Sequence, residues 1–521
     1  MVRAPEVRGG RGVLTDENGA FDVSGLPEGR YSVTVSKTGF VDLSYGQRRP
    51  LLPGTPLQLG VDEHLTGLEF QLPRGSVVSG RVYDETGDPL PGTIVRVLRY
   101  EYAQGTRQLV PAGTGQTDDR GMYRVWGLNP GTYYLSAVAR NLDLGRGRGP
   151  GGARGAGPFA GRGGRGGFAF DAPDEPTPED SAYAPTYYPG VSSPSDAQAI
   201  DVGLSAEVLS VDFTLQLVST ATVSGRVATP AGVSLTRASV VLTPDAPIGR
   251  RAAGANYGGR IPGDGLFTIR SVPPGRYILR ARTNGDTPLY AEQPLTVDGV
   301  DVSNVTVVLG PGATISGWTS FEAFETLQSP DARQVRVSAP SFDGDSLAPN
   351  PNARPESDGT FYLQGVPPGT HWIRARAPNG WMLKQVVIAG NDVTDQPFEL
   401  RGGEVIAEVL LVFSDRGARI TGSVTEQSGT PVSDYTVLVF PTDTRLWRPQ
   451  ARQIATARPD QNGTFEISNL PAGEYFVAIA DPTEPGEWYD SDYLQRHRTG
   501  AETLLLGEGD VKTQSLRVPG R

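Results

Sequence analysis

The chain has 521 residues, a net charge of −11, 67 glycines, 44 prolines and no cysteine. Without cysteine there is no disulfide, thiol catalysis or thiolate-held metal, and the acidic balance argues against nucleic acid or an anionic membrane as the main partner. No apolar run approaches the roughly 20 residues of a membrane-spanning helix; the longest, 405–413, is broken by Glu408.

Residues 2–13 carry Arg3, Arg8 and Arg11 among glycines, with no signal-peptide pattern. At Thr15 a unit begins that recurs along the chain, at 15–35, 117–137, 263–281, 357–375 and 460–479. Each copy has two glycines ten positions apart: Gly19 and Gly29, Gly121 and Gly131, Gly265 and Gly275, Gly359 and Gly369, Gly463 and Gly473. Two residues after the first glycine stands an aromatic (Phe21, Tyr123, Phe267, Phe361, Phe465), followed by the alternation of a half-buried strand. The second glycine follows Pro130, Pro274 and Pro368 in three copies, the signature of a type II turn. A further strand follows, with Tyr31, Val33 and Val35 in the first copy and Tyr475, Val477 and Ile479 in the last. The unit therefore predicts a β-hairpin with one apolar face, which must dock on further strands because an isolated hairpin is marginal in water.

Length predicts roughly three or four domains, but an internal repeat outranks that prior and sets five modules, at 1–73, 74–218, 219–310, 311–413 and 414–521. Modules 2–5 begin with an opening strand: Val78-Ser79-Gly80-Arg81-Val82, Val223-Ser224-Gly225-Arg226-Val227, Ile315-Ser316-Gly317 and Ile420-Thr421-Gly422-Ser423-Val424. Module 1 lacks it, so the natural N-terminus is expected upstream, with any secretion signal. Each module ends in a closing strand pair, at 57–72, 199–217, 294–309, 386–413 and 503–518. Linkers of a few residues force neighbours to touch, and the expected shape is a short rod. In module 2 an insertion at 141–182 holds Arg146, Arg148, Arg154, Arg162 and Arg165, then Asp171, Asp174, Glu175, Glu179 and Asp180. Its arginines and glycines suit a grip on single-stranded nucleic acid or an acidic polymer, but the balancing acids favour a flexible, low-apolar loop.

The pattern of Gly-x-Val near the start, Pro89-Leu90-Pro91-Gly92, Thr-Asp-x-x-Gly-x-aromatic and Leu-Pro-x-Gly-x-Tyr-x-Val resembles the carboxypeptidase regulatory-like domain. Module 1 adds that family's continuation, Val35-Ser36-Lys37-Thr38-Gly39-Phe40. The resemblance implies an all-β chain, a tandem array of Ig-like or transthyretin-like β-sandwich modules in the group of Cna B-type and carbohydrate-binding-like folds. It also implies a non-catalytic accessory role, in bacterial proteins that are extracytoplasmic: secreted, on the cell surface or in the periplasm. Some such proteins extend outer-membrane receptors of the TonB-dependent type.

The residues offer little chemistry. His64, His371 and His497 have no partner glutamate at zinc-ligand spacing. His371 takes the slot that is tyrosine elsewhere, which predicts a packed strand residue. Asp16-Glu17-Asn18-Gly19 and Asp460-Gln461-Asn462-Gly463 supply too few oxygens for calcium and read as turns. Lys37, Lys384 and Lys512 fall at unlike module positions, against serial isopeptide cross-links. No pairing of acids marks a glycosidase. No catalytic residue, cofactor or metal is assigned. The expected role is a scaffold or adhesion protein whose partners are envelope proteins or polysaccharide. Sugar binding would use exposed aromatics, with Trp488, Tyr489, Tyr493, Tyr187, Tyr188 and Trp381 as candidates.

Overall fold

The computed structural model describes residues 1–4, 7–103, 106–139, 181–230, 235, 238–245, 257–285, 287–324, 328–342, 351–378 and 380–518. The fold is all-β, a series of two-sheet sandwiches with separate apolar cores. The arginine-glycine stretch lies outside the described residues up to 180; its last residues enter a short strand, Ser181–Tyr183, paired with Leu217–Ser219.

The repeated unit is not a hairpin. Its first arm and second arm never pair with each other and belong to different sheets. The first arms, Met122–Leu128, Leu266–Val272, Thr360–Val366 and Thr464–Leu470, run antiparallel to the opening strands Ser76–Tyr83, Ala221–Ala228, Ala313–Glu322 and Ala418–Thr425. The second arms, such as Gly131–Val138, Gly275–Arg282 and Gly473–Ala480, pair within the opposite sheet. The unit is an arch over the core, and alternation points the apolar side of each arm inward.

The first glycine of each pair closes a tight turn at positive φ: 82° at Gly19, 67° at Gly121, 79° at Gly265, 86° at Gly359 and 75° at Gly463. Asp16 shows the chemistry, its Oδ1 accepting from the amides of Asn18 at 2.9 Å and Ala20 at 2.8 Å. The Asp460 carboxylate is engaged in the same way.

The second glycine does not turn the chain as expected. It opens the second arm, and Gly275 and Gly473 are not at positive φ at all. The tyrosine two residues on folds back beneath it. An added Cβ would lie 3.3 Å from the Tyr277 ring at Gly275 and 3.5 Å from the Tyr475 ring at Gly473. The hydroxyl then donates to a carbonyl four residues upstream: Tyr31 to Pro27 at 2.7 Å, Tyr133 to Asn129 at 2.6 Å, Tyr277 to Pro273 at 2.8 Å and Tyr475 to Pro471 at 2.7 Å. This locks the crossing between sheets, as tyrosine corners do in other sandwiches. In module 4, His371 replaces the tyrosine and is buried, with Nδ1 3.0 Å from the Ala339 carbonyl.

On its other side each opening strand meets a closing strand in parallel: Glu207–Val208 and Phe213–Thr214, Val302–Val308, Val405–Ser414 and Val511–Arg517. The opening strand is thus an inner strand of its sheet. Its central glycine is required by contact. A Cβ would stand 2.0 Å from the Val211 carbonyl oxygen at Gly80, 1.9 Å from that of Val305 at Gly225, 1.8 Å from that of Val409 at Gly317 and 1.9 Å from that of Gln514 at Gly422.

The rod expectation does not hold. Module 1 reaches module 5 across some four hundred residues of sequence, and modules 2 and 4 also touch module 5. The array is closed on itself.

Candidate functional site

The six aromatics singled out in the sequence sit in three modules. Tyr187 is buried with Leu98 and Leu109 on the outer face of a module 2 sheet, and half-buried Tyr188 packs edge-on to Phe213 at 6.2 Å. Trp381 is buried in module 4, edge-on to Phe321 at 5.2 Å. Trp488, Tyr489 and Tyr493 are brought together in module 5. The premise of exposed ring faces is therefore corrected for Tyr187, Trp381 and Tyr493.

The module 5 aromatics belong to an element the sequence did not reveal, the α-helix Ser491–Arg498. Asp490 caps it, accepting from the amides of Asp492 at 2.9 Å and Tyr493 at 3.0 Å. Arg496 and Arg498 close it with positive charge that suits the helix dipole. Tyr493 and Leu494 pack on Leu438 and Phe440, which point outward from Thr436–Pro441, a strand buried on both faces. The Tyr493 hydroxyl lies 2.7 Å from Thr483 Oγ1. Of these three, Trp488 and Tyr489 keep partial exposure, with ring centroids 6.3 Å apart.

The same region gathers the chain's other modules. Asp490 accepts from the Tyr102 hydroxyl of module 2 at 3.4 Å, and Glu484 pairs with Arg99 at 3.7 Å. Gly486 lies against Tyr102, where a Cβ would come within 2.8 Å of the tyrosine Cβ. On the module 4 side, Asp395 holds a fork from Arg452, with Nε at 3.0 Å and Nη2 at 2.9 Å, and accepts from Gln453 at 2.7 Å. Burial pushes the Asp395 carboxyl up, but the hydrogen bonds and charge of Arg452, with Gln453 and Arg374, outweigh it and leave its pKa below the ordinary value. Arg374 lies over the Trp372 ring at 4.3 Å, donates to the Thr394 carbonyl at 3.0 Å, and is lowered to about 10 by burial.

Arg458 forms the junction to module 1. Its buried guanidinium donates to the carbonyls of Ser433 at 3.2 Å, Gly46 at 3.1 Å and Pro53, and to Thr55 Oγ1 at 3.3 Å. Beside it, Gln58 and Gln461 exchange two hydrogen bonds, at 2.8 and 2.9 Å. Arg48 pairs with Asp434. The sequence held one sign of this site: 448–458 carries Arg448, Arg452 and Arg458 in one stretch of module 5. Among the described residues no cluster of three or more His, Asp or Glu could hold a metal ion, and no helix is long and apolar enough to cross a membrane.

Residues 419–486 match the carboxypeptidase regulatory-like domain family, within the fifth module. No curated protein matches the chain. Solved structures with detectable likeness include the TIE protein of Bacillus anthracis, 9% identical, covering 85% of this chain and 74% of that one at a TM-score of 0.16. BcpA, the major pilin subunit of Bacillus cereus, is 9% identical, with coverages of 85% and 99% and a TM-score of 0.15. GBS52, the minor pilin of Streptococcus agalactiae, is 12% identical, with coverages of 40% and 100% and a TM-score of 0.17. Scores this low carry no argument about arrangement or role. The class of protein rests on the chain itself: β-sandwiches in series, the last of them carboxypeptidase regulatory-like.

Proposed function

We propose that the chain is a non-catalytic scaffold or adhesion protein of the bacterial envelope, with the five intervals defined above as its working units. One observation carries this reading: buried Arg458 and the half-buried pair of Arg452 and Asp395 are spent on joints between modules. An enzyme sequesters such groups around a substrate cleft; here they fix the relation of one sandwich to the next. The partners that fit are other envelope proteins, met through the outer surfaces of the array. Surface labelling of intact cells tests the reading. Labelling of the native protein from outside is the expected result, and recovery in the cytosol alone would defeat it. The same fractionation separates a free surface protein from the extension of an outer-membrane transport receptor, which would stay with the outer membrane.

Polysaccharide binding is kept as a second reading because Trp488 and Tyr489 stand side by side with part of each ring open. A glycan array with wild type and Trp488→Ala decides it: signal on at least one glycan, lost in the variant, is required.

A further inference from the structure

Module 1 has the flanks of a three-stranded sheet without its middle. In modules 2–5 the opening strand lies between a first arm and a closing strand. The matching segments of module 1 are 20–26 and 65–72. Neither is a strand, and no backbone hydrogen bond joins them.

Both flanks nevertheless keep the shape they have where the strand is present. The first arm carries a positive φ at Gly25 (66°), as at Gly127, Ser271, Gly365 and Asn469. The closing segment carries one at Gly67 (74°), as at Ser210, Asn304 and Glu408. Phe21 and Phe70 stand 6.1 Å apart, matching the 6.4 Å of Tyr123 and Phe213, the pair that meets beneath the opening strand of module 2. The flanks have not collapsed onto each other. Phe21, Val23 and Leu26 are half-buried, as are Leu65, Leu68 and Phe70. Their first-arm counterparts in modules 2–5 are at most 5% exposed, the largest value being that of Ile467. The Arg11 side chain donates to the Ser24 carbonyl, an acceptor that a paired strand would satisfy.

The geometry points to one occupant: an extended strand from outside residues 1–521, of the type apolar-x-Gly-x-apolar, lying antiparallel to 20–26 and parallel to 65–72. Its class is set by the four opening strands the chain does contain, each held in its own module. Leu68 takes the place of Val211, Val305 and Val409, whose carbonyls exclude any Cβ from the facing residue, so the central position must be glycine. The flanking apolar side chains would cover the core as Val78 and Val82 do, both fully buried. Backbone pairing on two edges supplies affinity and the inward pockets supply selectivity, as in strand addition generally.

The test titrates the full chain with a synthetic peptide of residues 76–83, read by fluorescence anisotropy and hydrogen exchange. Expected are saturable one-to-one binding, slowed exchange confined to 20–26 and 65–72, and binding at least about tenfold weaker for the Gly80→Val peptide, because a side chain there overpacks the slot. A Val23→Asp protein should lose binding while exchange in modules 2–5 stays unchanged, which separates a spoiled slot from a misfolded chain. Four results would overturn the proposal: no binding, equal binding by the Gly80→Val peptide, protection elsewhere, or a peptide-free protein whose slot is already protected by its own chain or a second copy.

Discussion

Modules 1 and 5 share the repeated unit, the tight turn and the tyrosine lock, and differ at the opening strand. In module 5, Ala418–Thr425 runs between Thr464–Leu470 and Val511–Arg517, and Phe465, Ile467 and Leu470 are buried. In module 1 the same arm and closing segment stand apart, and Phe21, Val23 and Leu26 are half-open. Strand character in this sheet is therefore not a property of the arms. It is conferred by the middle strand, which supplies hydrogen-bond partners to both neighbours. The other sheet of module 1, built on Gly29–Val35, forms without it and keeps Tyr31 and Val33 buried.

The comparison can be broken most severely at the middle strand itself. Gly422→Val places a side chain on the Gln514 carbonyl and should cost about 4 kcal/mol or more, the range of severe overpacking and strain. Calorimetry would then show the module 5 transition lost or far lower in temperature. Next comes a paired truncation. Phe465→Ala should destabilise its module by about 3–5 kcal/mol, whereas Phe21→Ala, already half in water, should cost well under half as much; equal losses in denaturant titrations would mean that the slot is closed in solution. A third change addresses the joints. The depressed Asp395 pKa means that its contribution is complete above the unfolded value near 3.9 and is lost as pH falls through the folded one. Acidification below about pH 4 should therefore loosen modules 4 and 5, seen as a larger radius of gyration by scattering. Asp395→Asn should start loosened and respond less, with Arg452 losing a charged partner whose hydrogen bonds contribute about 1.5–3 kcal/mol. The smallest effect is expected from Tyr475→Phe, which removes the bond to Pro471 for about 1 kcal/mol. The matching Tyr31→Phe should cost the same, because that lock does not depend on the middle strand.

Much of this architecture was legible in the residues. Glycine two before an aromatic, then alternation, marks each first arm, and the Val-Ser-Gly-Arg-Val pattern marks the opening strand. What the pattern did not show was pairing. Gly422 is explained by a carbonyl 92 positions away in sequence, and local reading cannot see that contact. The same blindness turned an arch into a hairpin, because two strands joined by a tight bend look alike whether they pair or cross between sheets. The helix Ser491–Arg498 escaped because it is short and polar, stabilised by its cap and by Tyr493 and Leu494 rather than by periodicity. The closure of module 1 on module 5 rests on Arg458 donating to backbone carbonyls, which leave no mark in a sequence.

The parallel contact between opening and closing strands has a mechanical consequence. In modules 2–5 the strands that begin and end a unit lie side by side and point the same way. Tension applied through the two ends slides one past the other, so every hydrogen bond of the ladder is loaded together rather than peeled in turn. Each of these four units would then bear pull in shear.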